Sequence, residues 1–349
     1  MPAKFAQPLY SEIQPGSTGV KKIWHGKPVE EVKSLEVRIG YVAQALAIYH
    51  NTPSSTFTYK RFKEGPYEAS LAKAIEVGRR NLEATRRILY YNAAHGIRLY
   101  RLSSSLIPLA THPDVHIGVK EVYREELAEL GAFARRHDIR LSMHPNQFTL
   151  LNGSDAVVDA AIRDLDYHAD ILDGMGMGSD CIINIHVGGA YGDKRASAER
   201  LVSNLPRVPG RIMKRLTLEN DDKTYTAEET LSVCKRSGVP MMFDLHHDWC
   251  NPSSHPGIEL LPQIAETWKD RPMKIHVSTP KNAKEFRSHA DYVDAGPLLI
   301  FLKACKEEGL DRLDVMVEAK RKDHACLKLA EDLSSVRGIR RLDGGVLSM

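Results

Sequence analysis

Eight short β-rich segments that alternate with helical patterns constrain the fold of this chain more than any other feature. An amphipathic helix is predicted, for example, over residues 121–136, where Leu127, Leu130 and Phe133 share one face. Eight consecutive βα units favour a closed parallel barrel over an open sheet, so we predict an α/β fold, a (β/α)8 or TIM barrel. The predicted strands span residues 38–41, 97–102, 140–143, 181–185, 216–218, 241–243, 274–277 and 314–317.

The length of 349 residues suits a single barrel, which typically takes about 250 residues, with additions at its ends. Residues 1–37 mix Pro, Gly, Ser and Lys without a sustained period, and we interpret them as a poorly packed N-terminal extension. The barrel domain is predicted over residues 38–335. Residues 336–349 are predicted to form a C-terminal tail.

The charge balance is mild, with 48 Lys and Arg against 45 Asp and Glu, so nucleic-acid binding would depend on local basic patches. Five cysteines without a CxxC pair indicate reduced thiols. No signal-like or membrane-spanning apolar run is visible. We therefore expect a cytoplasmic protein, associated with the nucleoid if the source is prokaryotic, with no membrane partner.

Polar side chains stand at or just beyond the end of every predicted strand. In a (β/α)8 barrel these ends converge on one mouth, so the side chains become neighbours. The set contains four histidines and three carboxylates without matching Arg partners, which would be costly unless a cation neutralised them. The residues are Tyr41, Ser103, His144, His186, Glu219, Asp244, His247, His276 and Glu318.

Imidazole and carboxylate ligands suit transition metals, so we expect two or three divalent ions, with Mn favoured and Zn as the alternative. Closely spaced ions stabilise both oxygens of an in-line phosphoryl displacement. Phosphodiester hydrolysis is therefore the expected reaction.

Each of these residues also has a structural interpretation. A single strand-end histidine is more often a hydrogen-bonded structural residue than a ligand, and Glu219 could belong to a helix cap. Gly188 and Gly189 suit either a turn or a close approach of phosphate. We interpret His246 as structural, because it points away from its neighbours in D-L-H-H. Seven such groups on successive strands nevertheless favour a site.

Eight ordered motifs carry a family resemblance. They are V-R-I-G-Y, Y-R-L-S-S-S-L-I-P-L-A-T-H, M-H-P-N-Q-F, I-H-V-G-G-A-Y-G-D-K, L-E-N-D-D-K-T-Y-T, F-D-L-H-H, K-I-H-V-S and V-E-A-K. From Arg38 to about Lys322 the sequence resembles the ultraviolet damage endonucleases. One departure is Ala45, where family members often carry a polar residue.

The resemblance implies a barrel similar to endonuclease IV and a divalent metal cluster. It also implies incision immediately 5′ to pyrimidine dimers, 6-4 photoproducts and other distorting lesions, leaving a 3′-hydroxyl. The substrate would be damaged double-stranded DNA, and incision would require no protein partner.

The resemblance also implies roles for individual residues. One metal would be held by His144, His186 and Glu219. Glu219 would bridge to a second metal held by Asp244, His276 and Glu318, and a third would be held by His247 and His289.

Glu219 would act in catalysis, together with His112 near the scissile phosphate and Lys274, where family members can carry a modified lysine. Gln147 and Phe148 would probe the damaged base pair, with Tyr41 opposite. The alternative for Phe148 is a core aromatic that closes the barrel.

Two other functions fit parts of the pattern. Sugar isomerases and epimerases of the xylose-isomerase type also gather His, Glu and Asp around divalent ions, but they need a small closed pocket and no DNA. A non-catalytic sensor of kinked DNA would have lost metal ligands, and none is missing here.

Overall fold

The computed structural model describes residues 34–349, and its centre is a barrel of eight parallel strands. Neighbouring strands follow the order β3-β2-β1-β8-β7-β6-β5-β4, and a bridge between Met143 and Ile183 closes the gap between β3 and β4. The strands are β1 (Glu36–Val42), β2 (Leu99–Arg101), β3 (Arg140–Ser142), β4 (Ile183–His186), β5 (Leu216–Glu219), β6 (Met241–Asp244), β7 (Met273–Val277) and β8 (Arg312–Val317). The predicted TIM barrel is confirmed.

Helices follow the strands and form the outer layer. They are α1 (Tyr59–Phe62), α2 (Tyr67–Ala94), α3 (Val119–Val122), α4 (Arg124–Arg136), α5 (Asp155–Gly174), α6 (Lys194–Asn204), α7 (Gly210–Met213), α8 (Ala227–Ser237), α9 (Leu245–Cys250), α10 (Leu261–Trp268), α11 (Ala295–Glu307) and α12 (Lys322–Ser334), with 3-10 turns at Leu205–Arg207 and Gly257–Leu260. No helix within residues 34–349 is both long and apolar enough to cross a membrane.

The longest helix shows why these segments pack on the sheet. In α2 the buried side chains recur every three or four residues, for example at Ala74, Val77, Asn81, Thr85 and Ile88, which forms one inward stripe. The buried Asn81 amide also accepts from the Ser55 N–H and donates to the Leu106 carbonyl. This helix therefore fixes the long loop after β1 as well as covering the barrel.

The end of the chain differs from its prediction. Residues 336–349 are not a tail: β9 (Arg340–Asp343) and β10 (Val346–Ser348) pair antiparallel, and β10 also pairs antiparallel with β1. Leu347 is fully buried. Glycine is required in the turn, because a Cβ at Gly344 would overlap the His95 carbonyl. The sheet of the barrel thus extends to the C-terminus, whereas most of the predicted N-terminal extension, residues 1–33, lies outside the described residues.

All five cysteines fall in the described part of the chain and none forms a disulfide. Cys181, Cys234, Cys305 and Cys326 are buried and Cys250 is partly buried. The prediction of free thiols is confirmed.

Candidate metal centre

The predicted ligands meet at the carboxyl end of the barrel because each ends a strand or follows one. His186 ends β4 and is the register partner of Glu219, which ends β5. Asp244 ends β6 and is the register partner of His276 on β7. Asp244 also begins α9, where its carboxylate accepts from the His247 N–H at 2.8 Å.

Glu219 is the centre of this group. Its side chain is 1% exposed, with Oε2 lying 3.1 Å from His144 Nε2 and Oε1 lying 2.9 Å from His276 Nδ1. Oε2 also accepts from the Asn184 amide. Burial raises the pKa of Glu219, but His276, His186 and the hydrogen bond from His144 outweigh it and hold that pKa well below its usual value. Glu219 is therefore an anion fixed among imidazoles.

Two groups of three residues have the spacing of metal ligands. In each group the candidate ligand atoms lie within 4.8 Å of one another, and Glu219 belongs to both. The structure thus brings together the residues predicted for the first metal and three of the four predicted for the second, and Glu318 is not part of the second group. The groups are His144, His186 and Glu219, and Glu219, Asp244 and His276.

These residues fit divalent ions on their own chemistry. Asp244 Oδ2 and His186 Nδ1 are buried and have no hydrogen-bond partner among residues 34–349, although buried polar atoms are normally paired. A cation would satisfy the Asp244 oxygen. The donor set of imidazoles and carboxylates, with no thiolate, suits Mn or Zn.

The residues predicted for a third ion, His247 and His289, lie beside different carboxylates. His247 Nδ1 lies 3.4 Å from Glu219 Oε1, whereas His289 Nδ1 lies 4.0 Å from Glu318 Oε2. Burial lowers the pKa of His247, but Asp244 and Glu219 outweigh it and raise that pKa to about 9. The structural interpretation of His246 agrees with the structure, since its buried ring contacts the Phe286 carbonyl at 2.7 Å.

Arg101 is a site residue that the sequence analysis missed. It ends β2, and its Nη1 lies 2.5 Å from Glu318 Oε1 and 3.5 Å from His276 Nε2. The expectation that the carboxylates have no Arg partner is therefore wrong for Glu318. Burial raises the pKa of Glu318, but Arg101 and His276 hold it well below its usual value. The sequence feature that could have identified Arg101 is its position near the end of the predicted strand 97–102, for which only Ser103 was named as a candidate.

A cavity of about 340 Å³ opens above this centre. Its lining comes from the carboxyl ends of β1, β2 and β3 with the loops that follow them, and from candidate ligands on other strands. The lining residues are Val42, Ala43, Arg101, Leu102, Ser103, Ser104, His144, Pro145, His186, Glu219, His247 and Glu318.

The predicted lesion-binding residues differ in their exposure to solvent. Phe148 is 76% exposed in the loop after β3, so the core-aromatic alternative is wrong. Gln147 beside it is also exposed. Tyr41 is fully buried, and its hydroxyl donates to Asn92 of α2 at 2.6 Å. Because side chains alternate along a strand, Tyr41 faces the helices and Val42 faces the cavity, so the predicted DNA contact of Tyr41 is wrong.

Two predicted catalytic residues lie outside the cavity lining. His112 stacks on Tyr59 with ring centroids 3.7 Å apart, and its Nδ1 accepts from the Asp114 N–H at 3.2 Å. Lys274 is buried on β7, two residues before His276, with its Nζ 4.0 Å from Asp314 Oδ2. Burial lowers the pKa of Lys274 to about 8.

Comparison with known proteins gives a consistent result. A family model described as UV-endonuclease UvdE matches residues 37–348. Over 314 residues, 89% of this chain, the sequence is 46% identical to the UV DNA damage endonuclease of Bacillus velezensis and 45% identical to that of Bacillus cereus, covering 98% and 99% of those proteins.

Solved structures agree. A crystal structure of SacUVDE superposes with a TM-score of 0.76 at 32% identity, covering 86% of this chain and 98% of that one. Endonuclease IV from Thermus thermophilus, with a TM-score of 0.53 at 13% identity and coverage of 72% and 94%, shares the fold alone. The match of nearly every described residue shows that this chain belongs to the UV-endonuclease UvdE family and is a DNA endonuclease, which makes it a hydrolase and not a sugar isomerase.

Proposed function

We propose that this endonuclease hydrolyses the phosphodiester bond immediately 5′ to UV photoproducts and other distorting lesions in double-stranded DNA, leaving a 3′-hydroxyl. It uses two or three divalent ions, Mn in preference to Zn, and needs no protein partner for incision. It acts in the cytoplasm, at the nucleoid in a prokaryote. The observation that carries the proposal is the buried Glu219 shared by two ligand groups beneath an open cavity.

Divalent ions held by these two groups would neutralise charge on the phosphodiester and activate the attacking water. Glu219 is fixed for its shared role by a hydrogen-bond relay inside the barrel. Thr217 Oγ1 donates to Asn184 Oδ1 at 2.7 Å, and the Asn184 amide in turn donates to Glu219 Oε2. This relay holds the carboxylate between His144 and His276, as a ligand shared by two ions requires.

Incision of a defined substrate tests the proposal. A duplex with one thymine dimer, labelled at the 5′ end of the damaged strand, should give one product that ends immediately 5′ to the dimer. A DNA polymerase should extend that product after the damaged strand segment is removed, because the product carries a 3′-hydroxyl. Cutting on the 3′ side of the dimer, or a product that cannot be extended, would contradict the proposal.

We further propose that Gln147 and Phe148 enter the damaged duplex as a wedge. The Phe148 N–H donates to Asn146 Oδ1 at 2.9 Å, and Thr149 Oγ1 donates to the Asp164 carboxylate of α5. This anchored turn supports the exposed Phe148 ring. Stacking of a base on an aromatic ring is worth about 1 to 3 kcal/mol, which would replace a stacking partner lost at the lesion.

A second substrate, in which the base pairs around the dimer are already open, tests whether the pair acts as a wedge. Phe148→Ala and Gln147→Ala should each lower incision of the dimer duplex about tenfold or more, because about 1.4 kcal/mol of stabilisation is lost. Metal content should not change. With the dimer opposite a small mismatched bubble the loss should be much smaller. An equal loss on both substrates would mean that the pair is not a wedge.

A further inference from the structure

Arg101 is the permanent cation of the cavity. Of the described residues that line it, Arg101 alone is a lysine or arginine, whereas Glu219 and Glu318 contribute negative charge. A phosphodiester is an anion, so it is repelled by those carboxylates unless a positive group lies beside them. Arg101 is thus the described lining residue that carries a positive charge at every working pH, and an entering phosphate would be drawn to it.

The guanidinium of Arg101 is only partly used. Its Nη1 contacts Glu318 Oε1 at 2.5 Å and His276 Nε2 at 3.5 Å. Within residues 34–349 its Nε and Nη2 groups make no hydrogen bond. Neither atom is fully buried. Arg101 lines the cavity and its side chain is 12% exposed, so it has donors available for a ligand there. Arginine presents its N–H groups in a planar fork that matches two phosphate oxygens.

Strand pairing and an ion pair fix the position of the Arg101 side chain. It is the last residue of β2 and the register partner of Val42 and Ser142 on the neighbouring strands. Its ion pair with Glu318, which follows β8 two strands away, holds one edge of the guanidinium in place. Such an anchored side chain loses little conformational freedom when it binds a ligand.

We propose that Arg101 binds the phosphate that is cut, through the donors left free by its contact with Glu318. This inference rests on the proposed function, because it takes the phosphate 5′ to the lesion as the one in the cavity. Arg101 is then a substrate-contacting residue, and its pairing with Glu318 is what positions it.

The test compares binding of two dimer duplexes by the metal-loaded enzyme. In one duplex the 3′-bridging oxygen of the phosphate 5′ to the dimer is replaced by a methylene group, which keeps the negative charge but prevents the proposed cut. In the other that phosphate is a neutral methylphosphonate. The wild-type protein should bind the neutral duplex about tenfold more weakly, because a charge-assisted contact is lost.

Arg101→Gln should show a much smaller preference for the charged duplex than the wild type, because only the attraction of the bound ions for that charge remains. The matched control is Arg98→Gln, because Arg98 precedes β2, pairs with Asp343 and does not line the cavity. This control should keep the tenfold preference for the charged duplex. If Arg101→Gln fails to fold, Arg101→Lys serves instead and should lose most of the preference, because a single ammonium cannot replace the fork.

Two results would overturn the inference. If Arg101→Gln keeps the tenfold preference while losing bound metal, Arg101 is only the counter-charge of Glu318. If the wild-type protein does not distinguish the duplexes although it incises an unmodified dimer duplex at the proposed position, Arg101 is not at the cut phosphate and the proposed function stands.

Discussion

Replacement of Glu219 by Gln keeps the shape of the side chain and removes its charge. In the structure Oε2 accepts from Asn184 and lies beside His144, while Oε1 lies beside His276. The amide nitrogen of Gln must take one of these two positions and face a donor. On the Oε1 side a change of tautomer at His276 gives no relief, because its Nε2 lies 3.5 Å from the Arg101 guanidinium, which can only donate.

The expected size of the effect follows from the position of Glu219 in both ligand groups. A charge-assisted contact contributes about 1.5 to 3 kcal/mol, and the variant would lose one such contact to each of the two ions that stabilise the transition state. Two contacts at about 2 kcal/mol each amount to about 4 kcal/mol. At 1.36 kcal/mol per factor of ten, Glu219→Gln should incise about a thousandfold more slowly. DNA binding should stay near wild type, because Glu219 is 1% exposed.

Single-turnover incision of a dimer duplex measures this loss, and fluorescence anisotropy measures binding. The matched control is Glu126→Gln, which removes a surface ion pair with Arg79 at 3.0 Å and should incise normally. A thermal melt identifies a variant that has unfolded, in which case Glu219→Asp, which keeps the charge but shortens the side chain, replaces it. Incision by folded Glu219→Gln at near the wild-type rate would refute the assignment of the centre.

Two further predictions concern stability. Leu347→Ala should cost about 2 to 5 kcal/mol in urea unfolding, because Leu347 is fully buried in β10, whereas Leu342→Ala, at a 54% exposed position in the paired strand, should cost under about 0.5 kcal/mol. Equal small losses would mean that the C-terminus is a dispensable tail. Burial lowers the pKa of His168, so the folded state binds this proton less readily than the unfolded state does and loses stability as the pH falls below about 6.5. In EDTA, the unfolding free energy of His168→Met should therefore fall less than that of the wild type between pH 7.5 and 5.5, and identical declines would contradict this.

The barrel could be predicted because its signal is local and repeated. Each predicted strand overlaps an observed one, since buried parallel strands are short apolar runs bounded by turns. The candidate ligands could be predicted for a related reason: the fold itself carries strand ends to one mouth, so Glu219 and His144 meet although 75 positions separate them.

What could not be predicted depends on orientation and on pairing across the barrel. The V-R-I-G-Y motif places Tyr41 at the mouth but does not reveal that its side chain lies on the helix face of β1. The sequence places Arg101 in a strand but does not reveal its contact with Glu318, which lies 217 positions away. The pairing of β10 with β1 joins the two ends of the described chain, and no local pattern specifies such a long-range contact.

Anomalous diffraction at the manganese edge, from crystals grown with Mn, tests most directly the claim that two metal sites share Glu219. We expect two or three peaks, with a Glu219 carboxylate oxygen about 2.2 Å from each of two of them. One of these should also contact His144 and His186, and the other Asp244 and His276. No peak beside Glu219, or peaks only at exposed surface histidines, would contradict the claim that two metal sites share Glu219.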